Sequence, residues 1–213
     1  MAKGRSRCDH CKRQLAWFEI VPLLGFVLAR GRCRTCGGTI APVQPLVEAL
    51  CAISGAWFFA MDQPGLALLC WLLIALGIFD ALHLWLPDRL VAALAGVALI
   101  VPGWDLRFGL ATRIAAGAGG FLTLWLIARS FRRITGREGL GLGDAKLLGA
   151  LGLWLGPAVL PQELLAACLL GLGDVALRYR RSADPRALQL PLGTYLATAA
   201  IGFAVVQSLA ILG

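Results

Sequence analysis

The chain has 213 residues, of which 59% are hydrophobic and 15% charged, with 26 glycines and a formal net charge of +8. Soluble domains run nearer half apolar and a quarter charged, so this composition excludes a water-soluble globule and leaves a polytopic membrane protein. At about 20 residues per spanning helix the length admits at most about ten helices.

A polar segment comes first. Residues 1–41 hold Lys3, Arg5, Arg7, Lys12, Arg13, Arg30, Arg32 and Arg34, together with Cys8, Cys11, Cys33 and Cys36. No signal peptide is expected, because the basic start leads into a cysteine motif rather than an apolar run. The apolar stretch from Ile20 to Ala29 is too short to span and contains Pro22 and Gly25, so it is expected to pack inside a small domain or lie on the bilayer surface. About seven spans follow, near 42–60, 64–81, 89–103, 108–128, 143–157, 158–177 and 191–212. The expected architecture is therefore an all-α polytopic membrane protein with about seven transmembrane helices and a small N-terminal module, divided as 1–41 and 42–213.

Seven spans put the loops alternately on two faces. One face receives 18 of the 20 Lys and Arg, leaving only Arg107 and Arg113 at the other. By the positive-inside rule the N-terminal module is cytoplasmic and Gly213 lies outside. The charge thus reads as topology rather than as a nucleic-acid surface, and no nucleic-acid partner is expected.

Cys8-Asp9-His10-Cys11 and Cys33-Arg34-Thr35-Cys36 are two CxxC knuckles with 21 residues between them. Two knuckles can complete a tetrahedral four-thiolate site, the usual structural arrangement for Zn²⁺. Disulfide pairing is the alternative, and a cytoplasmic location, which keeps thiols reduced, disfavours it. A closed site of this kind serves folding and positioning rather than catalysis. Cys51, Cys70 and Cys168 lie in apolar spans and are expected to be small core residues.

Ionisable residues inside spans are costly and point to function. Asp80 sits at the cytoplasmic end of the second span, where the helix dipole disfavours a negative charge. Asp88 opens the third span after Pro87, where capping free N–H groups is the expected role. Gly141-Leu142-Gly143-Asp144-Ala145-Lys146 starts the fifth span at the same face, its glycines leaving room for an extended peptide beside Asp144. If Asp80 and Asp144 meet, two carboxylates can share one proton, one activating water and the other protonating a scissile carbonyl. Gly171-Leu172-Gly173-Asp174 repeats the pattern, but the basic run after it makes an ion pair the simpler reading of Asp174.

In this order the motifs resemble the type IV prepilin peptidases, GxGD-type aspartic proteases of the bacterial inner membrane. The matching segments are the paired knuckles with Arg30–Cys33, Pro45–Leu50, Asp80 with Leu86-Pro87-Asp88, Gly141–Gly152, and Pro191-Leu192-Gly193-Thr194-Tyr195. The resemblance implies that Asp80 and Asp144 are the catalytic pair and that prepilins or pseudopilins, of type IV pili or type II secretion, are the substrates. Their basic leader would be cut at the cytoplasmic face. Members commonly also methylate the new N-terminus from S-adenosylmethionine, an activity that no glycine-rich loop here marks independently. Gly141, Gly143 and Lys146 would support the site, and Glu48 would meet the basic leader or a nearby Arg. The chain departs from the pattern at Leu82, where the family often has a second acid, and in starting at the cysteine module without the preceding helix. A non-catalytic assembly factor whose cysteine module docks a pilus or secretion-system partner is the alternative. A transporter would want its acids near the bilayer midplane.

Overall fold

A computed structural model of the chain describes residues 6–8, 10–101, 108–136, 139–180 and 190–210, with the backbone alone at 179 and 180. Lys3, Arg5, Arg107, Arg137, Arg181 and Arg186 of the charge tally, and Asp9 of the first knuckle, lie outside the described residues. The described residues form helices α1 (Trp17–Ile20), α2 (Leu24–Leu28), α3 (Val43–Ala60), α4 (Pro64–His83), α5 (Asp88–Ile100), α6 (Leu110–Thr135), α7 (Leu142–Arg180) and α8 (Leu192–Ala210), with no strand. The chain divides into two compact units, Met1–Ser54 and Gly55–Gly213, and the boundary falls within α3.

In the first unit the two knuckles are built alike. Lys12 donates its N–H to the Cys8 carbonyl as Gly37 does to Cys33, both at 2.9 Å. Lys12 and Gly37 also share a left-handed backbone, with φ of 56° and 70°. The apolar stretch between the knuckles folds as α1 and α2. Glu19 fixes α1 by accepting from the Ala16 N–H at 2.8 Å and from Arg13 at 2.8 and 3.1 Å, and the Arg13 guanidinium holds the Glu19 carboxyl below its usual range. Glu48 accepts from the Leu23 N–H at 2.7 Å, just ahead of α2. That contact engages one carboxylate oxygen with backbone. Gly25 is the one buried residue among the described residues of this unit. Without an apolar core, a unit this small needs a covalent or metal staple.

The second unit carries the membrane-spanning architecture. Among the described residues five helices are long and apolar enough to cross a bilayer: α3, α4, α6, α7 and α8. At 39 residues α7 is about twice the needed length, and Gly156, with φ 72° and ψ −179°, breaks it in two. Only glycine adopts that backbone readily. Its halves, 142–155 and 157–180, correspond to the fifth and sixth predicted spans. The third predicted span is a shorter helix than expected, α5 having 13 residues, because the chain turns extended at Val101. The chain is accordingly an all-α, multi-pass membrane protein.

Packing at the α6–α7 crossing depends on small residues. A Cβ at Gly152 would lie 2.8 Å from the Ala116 carbonyl oxygen, and one at Gly117 2.8 Å from that of Gly149. Such close backbone approach is how spanning helices gain contact without a hydrophobic driving force. Arg113, read from sequence only as a stray cation at the outer face, has a structural task. It donates to the carbonyls of Ala98 and Val101 at the end of α5 and, at 2.7 Å, to that of Leu153 just before the α7 break. Those carbonyls lack full intrahelical partners, and a guanidinium satisfies several at once. Cys70 is buried as expected, whereas Cys168 is exposed on the helix surface.

Candidate active site

Asp80 and Asp144 come from different helices and line one cleft of about 300 Å³ with Leu84, Trp85, Leu86, Asp88, Gly141, Leu142, Gly143 and Lys146. Asp80 is 5% and Asp144 8% exposed. Local sequence explains both placements. α4 ends one turn after Asp80 because Leu84 takes a left-handed conformation and returns its N–H to the Asp80 carbonyl at 2.8 Å. The reversed chain then buries Leu86 beneath the cleft before Pro87 starts α5. On the opposite wall the chain enters α7 at Leu142, which puts Asp144 in the first helical turn. Gly143 is needed there because a Cβ would lie 3.0 Å from that of Leu86.

The two carboxyl groups share the one cleft. The N-terminus of α8 meets Asp80. Gly193 packs against the Asp80 carboxyl, and Thr194 donates its N–H to Asp80 Oδ2 at 2.8 Å. The Thr194 hydroxyl lies 3.2 Å from the same oxygen and 2.9 Å from the Gly77 carbonyl. Gly193 and Thr194 were visible in sequence only as part of a terminal motif with no assigned role.

At the rim, Lys146 Nζ pairs with Asp88 Oδ1 at 2.7 Å, and Asp88 is 72% exposed. The capping expectation for Asp88 changes here. Asp88 lies in the first turn of α5, where the helix dipole favours its charge as expected, but its carboxylate pairs with Lys146 and no capping hydrogen bond from it is seen among the described residues. Lys146 thus neutralises an acid at the rim of the cleft. Asp174 forms the ion pair read from sequence, with Arg178 at 2.8 Å, and also accepts from the Tyr195 hydroxyl at 2.5 Å. Glu163, which the sequence reading passed over, is fully buried in α7, and neither of its oxygens has a hydrogen-bond partner among the described residues.

Cys8, Cys11, Cys33 and Cys36 converge in the first unit with all four sulfurs within 4.8 Å of one another. The Cys8–Cys36 and Cys11–Cys33 separations are 3.9 and 4.0 Å. A tetrahedral ion with metal–sulfur bonds of about 2.3 Å requires sulfurs about 3.8 Å apart, whereas a disulfide requires about 2.05 Å. The donor set and spacing therefore fit a metal ion. N–H groups of the second knuckle favour thiolate: those of Cys36 and Thr35 bring the Cys33 thiol down to about 6. The Gly38 N–H acts likewise on Cys36, but desolvation and the neighbouring thiols outweigh it and raise that thiol to about 11. A metal cation would remove that mutual penalty.

Comparison with known proteins identifies the family. Residues 1–61 match the bacterial peptidase A24 N-terminal domain, and residues 67–174 match the type IV leader peptidase family. A prepilin leader peptidase/N-methyltransferase of Stutzerimonas stutzeri is 39% identical over 91% of this chain and 69% of its own length. Proteins of the same description from Aeromonas hydrophila (37% identical; 92% and 69% covered) and Dickeya chrysanthemi (39%; 90% and 70%) are similarly related. No solved structure matches. On the strength of the matched family domain and these relatives, the chain belongs to the type IV leader peptidase family and is an enzyme of it.

Proposed function

We propose that the protein is an intramembrane aspartic endopeptidase that removes the basic leader of type IV prepilins or pseudopilins, with Asp80 and Asp144 as the catalytic pair. The observation that carries this reading is the convergence of two buried carboxyl groups from separate helices on one cleft. A proton shared between such groups lets one activate water while the other protonates the peptide carbonyl. Gly141 and Gly143 add no side chain to the cleft wall beside Asp144, which suits close approach of an extended peptide. Lys146 keeps the rim pair with Asp88. Glu48 serves the first unit's own backbone through the Leu23 N–H.

The cysteine cluster holds a structural Zn²⁺ in this reading, since four thiolates leave no open coordination position. The first unit and the cleft face the cytoplasm and the far end of α8 faces outward, in keeping with the distribution of Lys and Arg. Incubating purified full-length protein in lipid with a synthetic prepilin, followed by mass spectrometry, should find the leader released at a single bond. Addition of S-adenosylmethionine tests in the same spectrum for a methyl group on the new amine, the second activity named for the relatives. An intact substrate bound to folded, zinc-loaded protein would overturn the reading in favour of a non-catalytic assembly factor.

A further inference from the structure

The catalytic pair is not symmetric, and the asymmetry comes from α8. Asp80 lies in the last turn of α4, where the dipole opposes a negative charge. Against this, Oδ2 accepts the Thr194 N–H at 2.8 Å and faces the Thr194 hydroxyl at 3.2 Å. Both donors act on one oxygen, so Oδ2 is anchored and Oδ1 is left to the cleft. Asp144 receives no comparably short hydrogen bond among the described residues. It has the N-terminal dipole of α7 in its favour, but direct donors to a carboxylate outweigh a dipole contribution. The other charged groups around Asp80 do not reverse this. Lys146 is bonded to Asp88 at the rim, and Tyr195, beside Thr194 on α8, is bonded through its hydroxyl to Asp174.

We propose that Thr194 is a positioning residue that fixes Asp80 as the ionised, water-activating member of the pair and leaves Asp144 as the proton donor. This rests on the proposed catalytic pair and assigns its roles. In the forward step Asp80 Oδ1 takes a proton from water as the water oxygen bonds to the scissile carbonyl carbon, and Asp144 gives its proton to the carbonyl oxygen. In the collapse the C–N bond breaks, the leaving nitrogen takes the proton held by Asp80, and one hydroxyl of the tetrahedral intermediate returns a proton to Asp144. The pair ends with the single proton it began with. Thr194 suits both halves of the cycle. Its hydroxyl can donate to Oδ2 while Asp80 is charged and swing to the Gly77 carbonyl, 2.9 Å away, once Asp80 holds a proton. The backbone N–H keeps Oδ2 in place throughout.

The test is the pH profile of prepilin cleavage by full-length Thr194→Val and Thr194→Ser, with Asp80→Asn and Asp144→Asn alongside. Valine preserves shape and the backbone N–H and removes only the hydroxyl. It should lower kcat by about 10- to 100-fold with KM within about twofold, and move the acidic limb of kcat/KM to higher pH by about one pH unit. Serine should restore both rate and limb. A purely structural role would reduce active protein equally at every pH. An unmoved limb in Thr194→Val, or no rescue by serine, overturns the proposal when both aspartate variants are inactive. Activity in either aspartate variant overturns the catalytic pair itself.

Discussion

Gly193 stands between the acids and their support with no room for a side chain. A Cβ there would lie 3.0 Å from the Asp80 carboxyl carbon and Oδ2 and from the Leu86 side chain. Gly193→Ala should therefore push Asp80 off Thr194 and lower cleavage at least about 10-fold, with the protein still inserted, as membrane fractionation beside the cleavage assay would show. At this scale the sequence was readable where chemistry is rare for its surroundings, as with an aspartate at the wrong end of a helix dipole or one following Gly-x-Gly. It was unreadable where a residue acts across the fold. Thr194 binds an acid 114 positions away, and no local pattern separates such a threonine from one capping its own helix. The ion pair of Asp88 is hidden for the same reason, since its partner Lys146 is 58 positions distant.

Among the elements, the knuckles were the most legible, because metal ligation imposes spacing directly on sequence. The first unit buries little besides Gly25, so the cluster is its main source of order. Metal analysis of protein purified without chelator should find about one zinc per chain. Removing it with a strong chelator should raise amide exchange through residues 10–40 while the helices of the second unit keep their protection. Protection that persists in the first unit without metal would refute the staple. The α7 break was legible as two spans because Gly156-Pro157 cannot continue a helix with ordinary dihedrals. Glu163 was overlooked because a single carboxyl in an apolar run carries no spacing signal, and the structure shows its burial without showing a task. Arg113 likewise looked like a topological charge until its three carbonyl partners were in place.

For the whole molecule, composition and charge gave the class and the spans, since a bilayer constrains helix length and flanking charge more tightly than water constrains a globule. What they could not give is the closeness of the two acids. Same-face placement follows from topology, but a shared cleft depends on the left-handed turn at Leu84, the buried Leu86 and the glycines of α7 and α8. The central claim is that these elements make a two-carboxylate hydrolase, and the most direct measurement is prepilin cleavage by Asp80→Asn and Asp144→Asn in lipid. Each substitution should abolish leader release while leaving insertion and zinc content unchanged, and Asp88→Asn and Asp174→Asn should still cleave. Leader release at the wild-type rate by either Asp80→Asn or Asp144→Asn would contradict the account.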